Sequence, residues 1–270
     1  MIIRKNFKKE ASIYIFSPEI TNDHEDYNSK GLDILYAAEE KHFWFISRKQ
    51  RIIDVFKKYV QKHETVLEIG AGTGNVSRAL QQAGYDVSVG EMHLNGLRYA
   101  QSYGIKNCYQ FDLFASPFLE HFDVIGLFDV LEHLQEDVLA MQCVQSMLKP
   151  NGHVVLTVPA HQWLWNRDDA IAAHKRRYTL KQLKTVMEKA GFEVVDGRYF
   201  FVSILPLLLL RRILNADNKS PVTEKERHQE ININPLINRI LQKISRLENK
   251  FASWIPNLAG GSIILVAKKL

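Results

Sequence analysis

From Glu64 onward the chain alternates short β-rich runs with amphipathic ones, and no other feature narrows its fold so far. In order they read TVLEIG, NVSRALQQAG, DVSVGE, NGLRYAQSYG, NCYQFD, FDVIGLFD, EDVLAMQCVQSMLK and GHVVLTVP. Strands this apolar, each followed by a helical pattern, predict a parallel sheet covered by helices on both faces. The chain has 270 residues, 46% hydrophobic and 24% charged, enough for one large α/β domain or two small ones with a sizeable core.

The flanks extend this frame. Residues 1–31 are mixed and polar, with one strand expected at Ile13–Phe16, and helical patterns follow at about Leu32–Lys41 and Ser47–Gln61. Thr179-Leu-Lys-Gln182 is a capping box, with Tyr178 and Leu183 placed as its hydrophobic staple. The helix it opens runs to about Ala190 and ends at Gly191. Strands are expected at FEVVDGRYF and at the terminal GGSIILVAKK. The chain therefore divides into an N-terminal extension with lid helices (1–62), a core (63–201), a helical insertion (202–258) and a final core strand (259–270).

Composition excludes several classes. Cys108 and Cys143 are far apart in apolar settings, which rules out a disulfide framework and fits a reducing cytoplasm. The basic start MIIRKNFKKE is followed by no apolar h-region, so no signal peptide is expected. The most apolar stretch, YFFVSILPLLLLRRIL (Tyr199–Leu214), is interrupted by Pro206 and falls well short of the roughly 20 apolar residues that a bilayer span needs. A net charge of +5 permits an anionic partner without demanding one, and no strong nucleic-acid signal accompanies it.

The insertion carries a second pattern. After the polar NADNKSPVTEKERHQEININ, which is expected to be flexible, PLINRILQKISRLENKF spaces Leu236, Ile237, Ile240, Leu241, Ile244, Leu247 and Phe251 as one helical stripe. Arg239, Lys243, Arg246 and Lys250 occupy another face. A basic amphipathic helix either lies on an anionic membrane or docks on its own protein, so the insertion is a substrate cap or a membrane-facing element.

The chemistry-bearing motif is VLEIGAGTGNVSRAL. Gly70, Gly72 and Gly74 stand between a strand and a helix, where glycine lets the backbone turn sharply and approach a ligand at the helix N-terminus. The dinucleotide fingerprint G-x-G-x-x-G/A fails because Asn75 holds its third position; the form here is E-x-G-x-G-x-G. The second strand delivers Glu91, placed to accept both ribose hydroxyls of a nucleoside, and the third delivers Asp112, within reach of an adenine amino group. Ligand-type features at three successive strand ends mark the edge where open α/β sheets bind.

At these residues the chain resembles the class I S-adenosylmethionine (SAM)-dependent methyltransferases. VLEIGAGTGNVS is similar to their first motif, while FDVIGLFDVLEHL and LKPNGHVVLTVP are similar to their fourth- and fifth-strand motifs; the resemblance covers roughly 45–200 and the terminal strand. It implies a Rossmann-like α/β fold: a seven-stranded, mostly parallel sheet with its last strand antiparallel, helices on both faces and N-terminal helices as a lid. It implies SAM as cofactor and S-adenosylhomocysteine as product. Gly70, Ala71, Gly72 and Gly74 would pass the methionine part, with Glu68 anchoring their loop. Glu91 and Met92 would meet the ribose, Asp112 and Leu113 the adenine, and Phe128 and Asp129 the sulfonium side.

Several acceptors are argued against. Amino-group nucleic-acid methylases of the family carry [D/N/S]-P-P-[Y/F/W] after the fourth strand, where this chain reads FDVLEH; pyrimidine C5 methylases need a Pro-Cys thiolate, and neither cysteine follows a proline. VLEHL resembles the ubiquinone-biosynthesis methyltransferases of the small-molecule branch. HFWF followed by an arginine, together with HKRRY, resembles bacterial methyltransferases of cell-surface polysaccharide or lipid synthesis. The expected reaction is methyl transfer to a small-molecule or lipid-linked acceptor, most simply at oxygen. The alternatives are an RNA or protein methyltransferase on the same fold, or a SAM-binding module without catalysis. A hydroxyl acceptor needs a base: His133 and His161 stand at the ligand edge, and His174 opens HKRRY on a loop before a capped helix. Trp44, Trp165, Arg177 and Tyr178 are the candidate substrate residues, with Trp163 and Trp165 sharing a face if their segment is extended. No metal is assigned, peripheral contact with an anionic membrane is a further expectation, and nothing sets the oligomeric state.

Overall fold

Successive side chains of a strand point to opposite faces, so runs apolar at every position build two cores. Val66 and Leu67, Val124 and Ile125, Val154 and Val155 divide in this way between two buried clusters on opposite sides of one sheet. A computed structural model of the chain describes residues 7–20, 23–24, 27–28, 35–216, 220 and 233–270. Its strands are β1 (Lys8–Glu10), β2 (Ile13–Ile15), β3 (Asp23–His24), β4 (Tyr27–Asn28), β5 (Thr65–Ile69), β6 (Asp86–Glu91) and β7 (Cys108–Gln110), then β8 (Phe122–Phe128), β9 (Leu148–Pro159), β10 (Phe192–Phe200) and β11 (Ser262–Lys269). Its helices are α1 (Phe43–Tyr59), α2 (Asn75–Gln82), α3 (Leu94–Ser102), α4 (Asp137–Met147), α5 (Arg167–Ile171), α6 (Leu180–Lys189), α7 (Leu205–Leu214) and α8 (Pro235–Lys250).

The main sheet runs β1-β2-β7-β6-β5-β8-β9-β11-β10. From β7 to β9 neighbours are parallel, and β11 lies antiparallel between β9 and β10. This is the expected seven-stranded sheet with its reversed last strand. Two further strands bring the sheet to nine. The N-terminal segment places Ile13 beside Cys108 and Ile15 beside Gln110, covering the short edge strand β7, and β1 folds back on β2. Burying Ile13 and Ile15 against Val89, Leu97 and Cys108 favours this addition, and it covers backbone groups that an open edge would expose.

One face is packed by α4 and α6 through Met141, Val144, Leu183 and Met187, the other by α1 and α2 through Ile52, Phe56, Val76 and Leu80. The capping box forms: the Gln182 N–H donates to Thr179 Oγ1 at 3.2 Å, and the Thr179 N–H to Gln182 Oε1 at 2.9 Å. Tyr178 and Leu183 are buried together as its staple. The first lid pattern is helical over 35–39 within the described residues. The second starts at Phe43 rather than Ser47, because the His42 ring accepts the Trp44 N–H at 3.3 Å and caps the helix. HFWF thus forms the cap and first turn of α1 instead of a link between helices. The polar run after α7 lies mostly outside the described residues. Among those described, no helix is long and apolar enough to cross a membrane.

Chain order reverses at β5, which has β6 on one side and β8 on the other, so a crevice opens beyond the carboxyl ends of these strands. Helix α3 closes tightly on it: a Cβ built on Gly96 would come 2.2 Å from the Gly72 carbonyl oxygen. Gly96→Ala should therefore cost about 1–3 kcal/mol by overpacking, read as a lower midpoint in thermal unfolding.

Candidate active site

The ends of β5, β6, β7, β8 and β9 deliver Gly70, Glu91, Asp112, Asp129 and His161 to one edge of the sheet. Gly70, Gly72 and Gly74 have φ of 65°, 54° and 78°, left-handed values that a residue with a Cβ adopts at a cost. Gly70 also lacks room, since an added Cβ would lie 2.6 Å from Val130 Cγ2. The loop N–H groups remain directed by neighbours: Gly72 donates to Glu91 Oε2 at 2.9 Å, and Gly74 to the Ala71 carbonyl at 2.8 Å.

Glu91 Oε1 accepts from the Met92 and His93 N–H groups at 2.7 and 3.1 Å. A carboxylate offers about four acceptor positions, so three backbone donors hold Glu91 in place and leave Oε2 room for a ligand hydroxyl. Met92 is fixed through its carbonyl, which accepts from Gln110 Nε2 at 3.2 Å. Asp112 Oδ1 caps a short turn by accepting the Phe114 N–H at 2.9 Å, with Leu113 buried in that turn. Phe128 turns its ring into the core against Phe56, so only its backbone borders the crevice.

Glu68 lies beneath the loop, fully buried, and accepts a short bond from Ser77 Oγ. Burial pushes its carboxyl up to about 7, against the opposing pull of Ser77 and Arg48. A carboxyl raised on folding stabilises fully below its ordinary value of 4.5 and loses that contribution as pH rises through 7. The loss is on the order of 2–4 kcal/mol for a buried group shifted this far. Glu68→Gln keeps the bond from Ser77 without a titrating group. Its thermal midpoint should rise above wild type at about pH 8 and match it near pH 4.

Helix α1 adds a residue the sequence reading missed. Arg48 on α1 forms a short ion pair with Asp129 Oδ2, while Asp129 Oδ1 accepts from Thr157 Oγ1 at 2.8 Å. Asp129 has φ 57°, a strained position that these two partners hold in place. Burial alone would lower the Arg48 value, but Asp129, Glu39 and Glu68 outweigh it and the net shift is upward. Arg48 Nε is sealed from solvent with no hydrogen-bond partner. A buried, permanently charged donor beside the glycine loop fits the carboxylate of an amino-acid ligand. With the shaped loop and the acceptor on Glu91, it makes the residues present a fit for SAM. Other N-terminal residues meet the loop and α2: Thr73 Oγ1 donates to Glu39, Asn75 Nδ2 to Glu40 at 3.0 Å, and Lys49 Nζ to Asn75 Oδ1 at 2.7 Å.

Beyond Asp129 the turn Leu131–His133 meets the loop before α6. His174 Nδ1 lies 2.8 Å from Asp169 Oδ1, and its Nε2 lies 3.8 Å from Glu132 Oε1; its ring crosses that of His133 at 4.9 Å. Asp169 is buried and also accepts from Arg177 Nε at 2.7 Å and the Asn166 N–H at 2.9 Å. Burial would raise its carboxyl, yet His174 and Arg177 more than offset this and hold it below the usual range. Asp169 as acceptor favours the tautomer in which His174 Nδ1–H donates to it, which leaves the ring's lone pair on Nε2. Glu132 is wholly buried with neither oxygen hydrogen-bonded, and burial followed by the Asp129 charge pushes it well above the carboxylate range. Glu132, His133 and His174 each offer a ligand atom within 4.8 Å of the others and could hold a metal ion. As they stand, a carboxyl with a raised pKa faces two imidazoles.

The remaining candidates are engaged within the protein. His161 (φ 58°) is stacked between Trp163 and Tyr199 at 4.9 and 4.8 Å, and burial lowers its pKa. Gln162–Leu164 is a 3-10 turn, so the segment is not extended: Trp163 is exposed on His161, while Trp165 is half-buried one residue past the turn. Tyr178 is a core residue whose hydroxyl donates to Asp137 Oδ2 at 3.0 Å, and Arg177 is turned onto Asp169. Trp44 stacks on Phe201 at 4.1 Å.

Comparisons with known proteins place the chain's family and fold. A family described as a methyltransferase domain matches residues 47–196, more than half of the chain. The ubiquinone biosynthesis O-methyltransferase of Haemophilus ducreyi is 31% identical over 103 residues, covering 34% of this chain and 44% of that protein. The protein of the same name from Bordetella avium is 27% identical over 96 residues, covering 33% and 40%. The chain thus spans less than half the length of the curated relatives it matches. Among solved structures, Haemonchus contortus phosphoethanolamine N-methyltransferase 2 in complex with SAM has a TM-score of 0.58 at 16% identity, over 92% of this chain and 59% of that one. A SAM-dependent methyltransferase of Archaeoglobus fulgidus has a TM-score of 0.51 at 18% identity, over 82% and 94%. At such identities the likeness is one of fold.

Proposed function

Since the chain belongs to the class I SAM-dependent methyltransferases, we propose that it methylates an oxygen of a small-molecule or lipid-linked acceptor, with His174 as the base. When bound, SAM supplies an electrophilic methyl group on a sulfonium. The protein's part is alignment, and holding reactants in line is worth about 7–11 kcal/mol. Glu91 fixes the ribose end, Arg48 the amino-acid end, and Asp112 the base end, which together set where the sulfonium side falls beside Asp129.

The observation that carries the oxygen reading is the His174–Asp169 pair beside the Asp129 turn. A hydroxyl must lose its proton as it attacks, and His174 Nε2 is the nitrogen that Asp169 leaves free to take it. Asp169 and Arg177 act as positioning residues behind that ring. The two curated relatives, named as O-methyltransferases, support the same choice.

The test incubates the protein with methyl-labelled SAM and, separately, a lipid extract, an aqueous metabolite extract, RNA and total protein. Label in the lipid or metabolite fraction is the expected result. Label confined to RNA or protein would overturn the reading.

A further inference from the structure

Helix α8 is seated with its polar side inward. Asn238 Nδ2 and Gln242 Nε2 donate to the Lys41 carbonyl at 2.8 and 3.1 Å, and Asn249 Nδ2 donates to the Ser47 carbonyl at 3.1 Å. Glu248, the helix's only acid, accepts from the Val202 and Ser203 N–H groups at 3.0 and 2.8 Å. Of the apolar stripe, Leu241 alone is buried. The rest faces out: Leu236 is 67% exposed and Leu247 58%, and just beyond the helix Trp254 and Leu258 are 85% and 82% exposed.

Helix α7 repeats the pattern. It buries no residue, and Ile213 and Leu214 are 73% and 77% exposed. Both helices are rooted in one apolar cluster, through Leu208 and Leu241 beside Phe43, Trp44 and Phe201. Surface helices normally bury such a stripe and wet their amides; α8 does the reverse, and with the exposed apolar residues of α7 it forms a patch rather than scattered exposed residues. At 3.6 residues per turn, Arg239, Lys243, Arg246 and Lys250 fall on the flank beside the stripe. With Glu248 turned inward, the exposed charge of α8 is wholly positive.

We infer that the outer faces of α7 and α8 form a docking surface for an anionic lipid bilayer. The leucines and Trp254 enter the boundary between headgroups and acyl chains, and the lysines and arginines lie among the anionic headgroups. Stable peripheral attachment takes both signals, apolar insertion and basic charge, and this surface supplies them side by side. A second copy of the chain would bring like charges together across a two-fold axis. A nucleic acid would leave the leucines in water. Helix α7 also borders the site: Arg211 Nε and Asn215 Nδ2 donate to Asp168 at 2.5 and 2.8 Å, next to Asp169. The inference rests on these helices and is independent of the acceptor.

Vesicle flotation tests it on the full chain, using phosphatidylcholine vesicles with and without phosphatidylglycerol. Leu208 packs into the core cluster and is a poor probe, whereas Ile213 and Leu236 are exposed. Wild type should float with the anionic vesicles, less so in high salt and weakly with neutral ones. The double variant Ile213→Glu/Leu236→Glu should lose at least about tenfold in partitioning, as should Lys243→Glu/Arg246→Glu, with thermal midpoint and S-adenosylhomocysteine binding unchanged. Failure of the wild type to float, equal flotation with both vesicle types, or full binding by the Glu variants would overturn the proposal. So would light scattering that shows the same substitutions splitting a dimer.

Discussion

Glu91→Ala should weaken SAM and S-adenosylhomocysteine binding by roughly one to two orders of magnitude, because a hydrogen bond to a charged group is worth about 1.5–3 kcal/mol and Oε2 has room for one ribose hydroxyl. Calorimetric titration reads it directly. The carboxylate also holds the N–H groups of Gly72, Met92 and His93, so part of the loss would come from a relaxed loop. Glu91→Gln separates the two effects. It keeps one carbonyl oxygen for the loop donors but removes the charge, and should bind more weakly than wild type while melting, without cofactor, within a degree or two of it. Wild-type affinity in either variant would remove Glu91 from the ribose site.

His174→Ala is the second large effect, expected in kcat rather than in cofactor affinity. Removing a general base typically costs a factor of 10²–10⁴. The ring sits away from the glycine loop, against Asp169, Glu132 and His133, so S-adenosylhomocysteine affinity should stay within about twofold of wild type. Added imidazole should restore part of the rate, which a merely structural role would not allow. Asp169→Asn should lose activity too, since an amide no longer favours the tautomer with a basic Nε2. An unchanged rate in His174→Ala would mean that the acceptor attacks without help from this histidine.

What could be read along the chain was what short spacings encode. The strand–helix alternation, the glycine loop, the Thr179–Gln182 box and the carboxylates at strand ends are local patterns, and each formed where expected. What could not be read depends on which distant residues meet. The pairing of Arg48 with Asp129 crosses from α1 to the end of β8, and no spacing links them. His174 was visible as a titratable residue on a loop before a capped helix, but no spacing rule tied it to Asp169, which orients it. Trp163 and Trp165 would share a face only in an extended segment, and the 3-10 turn at 162–164 removes that condition. The strand expected at Ile13–Phe16 forms as β2, but its place on the edge left open by the three-residue β7, and β1 beside it, are properties of the assembled sheet. In α8 the amphipathic pattern was plain, yet only the packing shows that the amides dock and the leucines face out.

The most direct test of the central claim is the bond that the transferred methyl group makes. With isotope-labelled SAM and the extract fraction that takes label, magnetic resonance of the purified product distinguishes O-methyl from N-methyl and S-methyl. An O-methyl product formed by wild type and almost absent with His174→Ala is the predicted result. A methyl group on nitrogen, carbon or sulfur, or equal label from the variant, would contradict the account.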